Sequence, residues 1–162
     1  MPKKPTTLKD LFEIKIKALY DIETQIVKAL PKMIKKASDI ELRQALESHL
    51  AETRNQVIRL QQIFELLGLK PSGITVEGIR GLIKDASWAM KATKSKEATD
   101  TLIISSARYV EHYEMAGYLT AHAWAQELGL LPASKLLKET LTEEKKADEL
   151  LKQIATERIA LE

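Results

Sequence analysis

The sequence predicts an all-α chain, an antiparallel four-helix bundle whose two hairpins are joined by a long crossover carrying an extra short helix. Three observations predict it. Helix breakers are scarce, with 6 Gly and 5 Pro in 162 residues, and the abundant Ala, Leu, Lys and Glu are good helix formers. Apolar residues recur at steps of three and four through four long stretches, the period of one helix face. The breaks near 37–39 and 129–132 are short enough to force antiparallel neighbours, whereas 68–99 is long enough to recross the bundle. No strand pattern competes.

Each element follows from its own residues. Leu8, Leu11, Phe12, Leu19, Ile22, Ile26 and Leu30 line one face of a helix over about 7–37, with a kink expected at Pro31, which lacks an amide donor. Ser38-Asp39-Ile40-Glu41 reads as a capping box opening a second helix over about 39–67, and Gly68 supplies its C-terminal stop. Ile79, Leu82, Ile83, Trp88 and Met90, interrupted by Gly78 and Gly81, give a weaker helical segment between Thr75 and Thr93. A third long helix is expected over about 100–128, stopped by Gly129. The fourth begins at Pro132, a favoured first-turn residue, and runs to about 159. The 162 residues form one domain.

Composition excludes several function classes. There is no Cys, so disulfides, thiolate metal sites and Cys nucleophiles are ruled out. The 25 basic residues nearly balance the 23 acidic ones, for a net charge of +2, and Lys and Glu interleave rather than segregate. That argues against a nucleic-acid partner. No apolar run approaches a membrane span, and the basic Met1–Pro5 segment is not followed by the apolar stretch of a secretory signal. A cytoplasmic protein without a membrane partner is the expectation. No phosphate loop or nucleophile elbow occurs.

The informative feature is where some acids stand. Glu23 falls one turn after Leu19 and one turn before Ile26, on or beside the apolar stripe. Glu52 shares a stripe with Ala45, His49, Gln56 and Ile63. Glu111 and Glu114 align with Ala107, Tyr118 and Ala121, and Glu144 and Asp148 align with Leu137, Leu141 and Leu151. A single helical Glu is ordinarily solvated, but here every long helix carries a carboxylate on its inward edge. Converging buried carboxylates repel one another unless protons or cations compensate, and two divalent cations would neutralise four. Spacing adds weight: Glu23 precedes Glu52 by 29 residues, and Glu114 precedes Glu144 by 30. A shift of 91 places Glu23 on Glu114, and a shift of 92 places Glu52 on Glu144 and Gln56 on Asp148. A duplicated hairpin with acids at equivalent levels is the pattern of a pseudo-two-fold metal site.

Four segments carry a family resemblance. Tyr20-Asp-Ile-Glu-Thr-Gln25 with Lys28-Ala-Leu-Pro-Lys32, Ser48-His-Leu-Ala-Glu-Thr53 with Gln56, Val110-Glu-His-Tyr-Glu-Met-Ala116 with Tyr118, and Leu136-Leu-Lys-Glu-Thr-Leu-Thr-Glu-Glu-Lys145 with Asp148 resemble the YciF-type stress proteins, a branch of the ferritin-like superfamily. The resemblance spans nearly the whole chain. It implies a ferritin-like bundle, a homodimer and a di-iron or di-manganese site, hence two divalent metal ions as cofactors. Such a site would oxidise Fe²⁺ or consume O₂ or peroxide. The alternative is a non-enzymatic stress-response scaffold whose site is vestigial or purely structural.

The chain also departs from the ferritin-like pattern, which wants Glu-x-x-His on the second and fourth bundle helices. Asn55 and Ala147 stand where those histidines would be. Gln56 and Asp148, four residues beyond Glu52 and Glu144, resemble the family at these positions and keep the same face. The expected metal set is therefore Glu23, Glu52, Gln56, Glu114, Glu144 and Asp148, all oxygen donors, with Glu52 and Glu144 bridging. Fewer imidazoles weaken the preference for iron and admit Mn²⁺, Mg²⁺ or Ca²⁺. His49, one turn before Glu52, is a further candidate for ligation or for hydrogen bonding to a ligand. Glu111 is open between ligand, hydrogen-bond acceptor and outward salt bridge. Tyr20 and Tyr118 lie one turn from Glu23 and Glu114, within reach of hydrogen-bonding them. His112 reads as a packing or surface residue and His122 as structural. Lys28, Lys32, Lys35 and Lys36 read as a solvated face.

Overall fold

The structure, a computed structural model, describes residues 4–157. Five helices follow one another: α1 (Leu8–Lys36), α2 (Ile40–Leu66), α3 (Glu77–Ala92), α4 (Lys96–Glu127) and α5 (Leu131–Glu157). No strand occurs among the described residues. α1, α2, α4 and α5 are the bundle. α1 packs on α2 and α4 packs on α5 within the hairpins, and α2·α5 and α1·α4 contacts join them. The crossover helix α3 lies against α4 and, less extensively, α1. The last two residues of the helix expected to reach 159 lie outside the described residues.

Local chemistry explains the ends. Thr7 caps α1 in a capping box with Asp10. The amides of Thr6 and Thr7 and the Thr7 hydroxyl pull the Asp10 carboxyl down to about 2. α1 continues without interruption through the exposed Pro31. α2 and α4 end alike. Gly68 and Gly129 adopt φ of 67° and 68°, and the following amides of Leu69 and Leu130 reach back to the carbonyls of Phe64 and Ala125 at 2.9 and 2.8 Å. This closing pattern needs a left-handed residue, which glycine supplies at least cost.

α4 begins earlier than the sequence reading placed it. Ser95 caps it, accepting from the amide of Ala98 at 3.2 Å. Asp100, the expected start, is buried a full turn inside the helix and serves a different one: its carboxylate accepts from the amides of Ser38 at 2.7 Å and Asp39 at 2.8 Å. Asp39 is the N-cap of α2, accepting from the amides of Glu41 and Leu42. The α1–α2 turn is thus held by an acid more than 60 residues away in sequence. Hydrogen bonds to a charged group contribute ~1.5–3 kcal/mol, so Asp100→Ala should lower stability by about 2–3 kcal/mol. Ser95→Ala, the loss of an ordinary cap, should cost about 1 kcal/mol. Chemical denaturation midpoints of the two variants check the ordering.

The core is continuous along the bundle axis. Phe12, Ile16 and Leu19 of α1, Leu42, Leu60 and Phe64 of α2, Ile79 of α3, Ile103 of α4 and Leu137 of α5 are almost wholly buried. Each such side chain contributes ~1.5–3 kcal/mol of apolar burial. Against that background the same surface buries Glu23, His49, Gln56, Glu111, Glu114 and Glu144.

Candidate metal centre

These six polar side chains gather midway along the bundle because each sits on the inward stripe of its helix. On α1, Glu23 is flanked by Leu19, Ile22 and Ile26. On α4, Glu111, Glu114 and Tyr118 succeed one another on the face that carries Ala107 and Ala121. On α5, Glu144 follows Leu137 and Leu141. On α2, the buried stripe runs Leu42, Leu46, His49, Thr53, Gln56, Leu60 and Ile63.

The contacts are specific. His49, Glu111, Glu114 and Glu144 each place one donor atom within 4.8 Å of those of the other three. His49 Nε2 stands 3.1 Å from Glu111 Oε1, and its Nδ1 is 3.8 Å from Glu52 Oε2. The Tyr118 hydroxyl donates to Glu23 Oε1, joining α4 to α1. Gln56 Nε2 donates to Glu144 Oε1 and, at 3.0 Å, to Glu143 Oε2. Arg59 grips Glu143 with two bonds of 2.6 Å, so Glu144 is oriented through Gln56 by a pair anchored outside the cluster.

Apart from an acid proton shared between neighbouring carboxyls, Glu23 with Glu114 and Glu111 with Glu144, five carboxylate oxygens have no protein partner: Glu23 Oε2, Glu111 Oε2, both oxygens of Glu114, and Glu144 Oε2. Gln56 Oε1 and the His49 ring nitrogens also lack a hydrogen bond. Lys and Arg are absent from the buried residues described. The electrostatic consequence is large. Burial pushes the carboxyl of Glu114 well above its ordinary value, and the charges of Glu144, Glu23 and Glu111 push it further. Glu23 is raised by burial and then by Glu144. Glu111 is raised by burial and then by its hydrogen bond to Glu144 and the charge there. Tyr118 is held far above the usual phenol value by burial and then by the charge of Glu23. Like charges in a low-dielectric site favour neutral forms unless a cation is present.

Of the residues expected from sequence, Glu23, Gln56, Glu114 and Glu144 are brought together, and Glu52 and Asp148 are not. Glu52 lies about 80° around α2 from the centre of the buried stripe, and its side chain is 41% exposed. Asp148 lies on the inward stripe of α5, one turn beyond Glu144, where α4 presents cations. Arg108 Nε binds it at 2.8 Å and His112 Nε2 lies 3.1 Å away. Burial opposes ionisation of Asp148, but Arg108 and His112 outweigh it and lower its carboxyl below the ordinary value. The same balance, with Arg59 and Gln56 outweighing burial, lowers Glu143.

His49 and Glu111, whose roles the sequence left open, complete the cluster. The missing Glu-x-x-His has its imidazole one turn earlier, as His49-x-x-Glu52, and α4 carries Glu111-x-x-Glu114. Three-residue spacings read in both directions would have found them. Other expectations hold: His112 is exposed, and His122 Nδ1 is tied to the Ser134 carbonyl and hydroxyl at 3.0 and 2.9 Å. The tyrosines differ from expectation: Tyr118 bonds Glu23 rather than Glu114, while Tyr20 packs edge-on against Phe64 with ring centroids 5.6 Å apart and its hydroxyl accepts from Gln61 Nε2. Lys28, Lys32, Lys35 and Lys36 are exposed.

Comparison with known proteins agrees with the fold. The model of a family described as "Domain of unknown function (DUF892)" matches residues 7–162. Protein YciF of Escherichia coli strain K12 is 38% identical over 150 residues, covering 92% of this chain and 90% of YciF. Among solved structures, YcfI of Rhodopseudomonas palustris superposes with a TM-score of 0.92 at 42% identity, covering 99% of both chains. The E. coli stress protein YciF superposes at 0.90 with 37% identity, covering 94% of this chain and 96% of that one. With the full-length match, the shared bundle and this level of identity, the chain belongs to the DUF892 family of YciF-type stress proteins.

Proposed function

We propose that the chain is a metalloprotein holding two divalent cations, iron or manganese, in this buried cluster and using them to oxidise Fe²⁺ or to handle O₂ or peroxide. One observation carries the reading: four buried carboxylates with five unpartnered oxygens, and no buried Lys or Arg among the described residues to balance them. Two divalent cations supply the four charges. The donor chemistry fits, since the carboxylates suit Mn²⁺ and the one imidazole adds to the set's preference for Fe²⁺. Glu23, Gln56, Glu114 and Glu144 keep their place in the set expected from sequence, and His49 and Glu111 join it. Glu52 would stay on the rim, 3.8 Å from His49 Nδ1 and not bonded to it, and Asp148 would stay with Arg108.

Reversible one-electron oxidation is what such ions supply when bound. The chain's own contribution is orientation and dryness. Tyr118 fixes Glu23, Gln56 fixes Glu144, and both oxygens of Glu114 stay available between them. The surrounding Leu19, Ile22, Ile26 and Leu141 limit water and keep the field unscreened.

A scaffold reading is favoured by the ion pairs Arg59–Glu143 and Arg108–Asp148, which brace the bundle without any cation. Fe²⁺ oxidation under air separates the two. The redox reading predicts oxidation well above the buffer rate, abolished by prior saturation with Zn²⁺. A rate equal to buffer alone favours the scaffold. We also propose a cytoplasmic homodimer, to which the exposed Trp88 and Tyr109 offer apolar surface. No helix among the described residues is long and apolar enough to cross a membrane.

A further inference from the structure

Beside the cluster the helices line a partly open cavity of about 150 Å³. Every helix contributes apolar wall: Ile26 from α1, Leu46 from α2, Met90 from α3, Ala107 from α4 and Leu151 from α5. The exposed Lys32, Ser48 and Lys146 also line it and mark where it meets solvent. Two further lining residues are polar and more than nine-tenths buried, His49 and Glu111. They leave Glu111 Oε2 and the ring nitrogens of His49 without hydrogen bonds. Glu111 Oε1 and His49 Nε2 face each other at 3.1 Å, which leaves Glu111 Oε2 and His49 Nδ1, both without a hydrogen bond, to offer a ligand.

We propose that this cavity is a binding site for a small hydroxylated apolar molecule of the phenol class. A mostly apolar cavity of this volume is large enough for a benzene-sized ring. An unsubstituted ring would leave a carboxylate acceptor and an imidazole unpaired, and buried polar groups without partners are costly. One hydroxyl answers both, donating to Glu111 Oε2 and accepting from a His49 N–H. Polyhydroxylated molecules of the same size would bury hydroxyls against Leu46 and Met90 without partners. The inference goes beyond the metal reading and does not require it, because ring and hydroxyl contacts are made by the metal-free chain.

The test is calorimetric titration of metal-free, full-length protein with phenol, toluene and myo-inositol. The expected result is saturable one-to-one binding of phenol, at least tenfold weaker binding of toluene, and none of myo-inositol. Ala107→Leu, which projects into the cavity, should weaken phenol at least tenfold, and Ala86→Leu, on another wall, provides the same reading should the first variant not fold. His49→Phe should bring phenol and toluene to similar affinity. Absence of saturable phenol binding overturns the proposal, as does binding undiminished in both filled variants. Mn²⁺ titration of the same proteins keeps the two claims apart. Ala107→Leu should retain Mn²⁺ while losing phenol, and phenol binding without any Mn²⁺ binding would leave the cavity proposal standing and remove the metal reading.

Discussion

Metal-free protein should be most stable near about pH 5 and should lose stability as the pH rises toward about 8, the reverse of the usual rise away from acid. The sign follows from Glu23, Glu111 and Glu114, all raised well above the ordinary glutamate value of 4.5. For an acid raised on folding, the native state binds more protons than the unfolded one, so its contribution is complete below the unfolded value. That contribution is lost as the pH climbs through the folded value. Each carboxyl that keeps its proton in the folded state while the unfolded chain has lost it removes ~1.4 kcal/mol per pH unit. Groups lowered on folding, Asp10, Glu143 and Asp148, do not mask the effect. Their stabilisation is complete above the ordinary carboxylate value and therefore flat across this window. Saturating Mn²⁺ should flatten or invert the slope, because a cation favours the ionised carboxylates and binds only the folded site. Denaturant midpoints measured across the range, with chelator and with Mn²⁺, decide it. Equal slopes with and without the metal would contradict the account.

Glu114→Gln should act in opposite directions on stability and on metal binding. No protein N–H reaches either oxygen of Glu114, whose one side-chain partner is the neighbouring carboxyl of Glu23, so the isosteric amide removes a buried charge and can still donate to Glu23. In chelator near about pH 8 the variant should gain roughly 1–3 kcal/mol, since an uncompensated buried charge costs more than an imperfectly bonded amide. Its Mn²⁺ affinity should fall by more than the ~10–100-fold that losing an outer partner typically costs. Glu52→Gln, on the rim, should change affinity less than tenfold. A variant that binds Mn²⁺ like the parent would remove Glu114 from the ligand set, and a destabilised variant in chelator would show that its charge is compensated in some other way.

The bundle was legible because helix periodicity and stop residues are local signals. Gly68 and Gly129 end α2 and α4 with the same backbone closure, and Thr7 and Asp39 are the caps their side chains suggest. The start of α4 was not legible. Asp100 has the chemistry of an N-cap and is used as one, but for amides of the α1–α2 turn brought to it only by folding. The site divides along the same line. The inward phases of Glu23, Gln56, Glu114 and Glu144 follow from strong apolar stripes on their own helices. Glu52 failed to join them because it sits beside the α2 stripe that carries Gln56, and a difference of about 80° around the axis decides between core and rim. Asp148 had the right phase, but its surroundings depend on Arg108 and His112 across the helix pair, which no single-helix pattern contains. His49 and Glu111 were visible as residues and ambiguous as ligands, since the orientation of each depends on the other.

The central claim is that cations, rather than protons, balance the buried carboxylates. Elemental analysis of protein purified without chelators tests it most directly when read beside the same preparation of Glu114→Gln. The account predicts about two equivalents of iron or manganese per chain, largely lost in the variant. Parent protein carrying no transition metal, and failing to take up Mn²⁺ or Fe²⁺ when they are added, would contradict it.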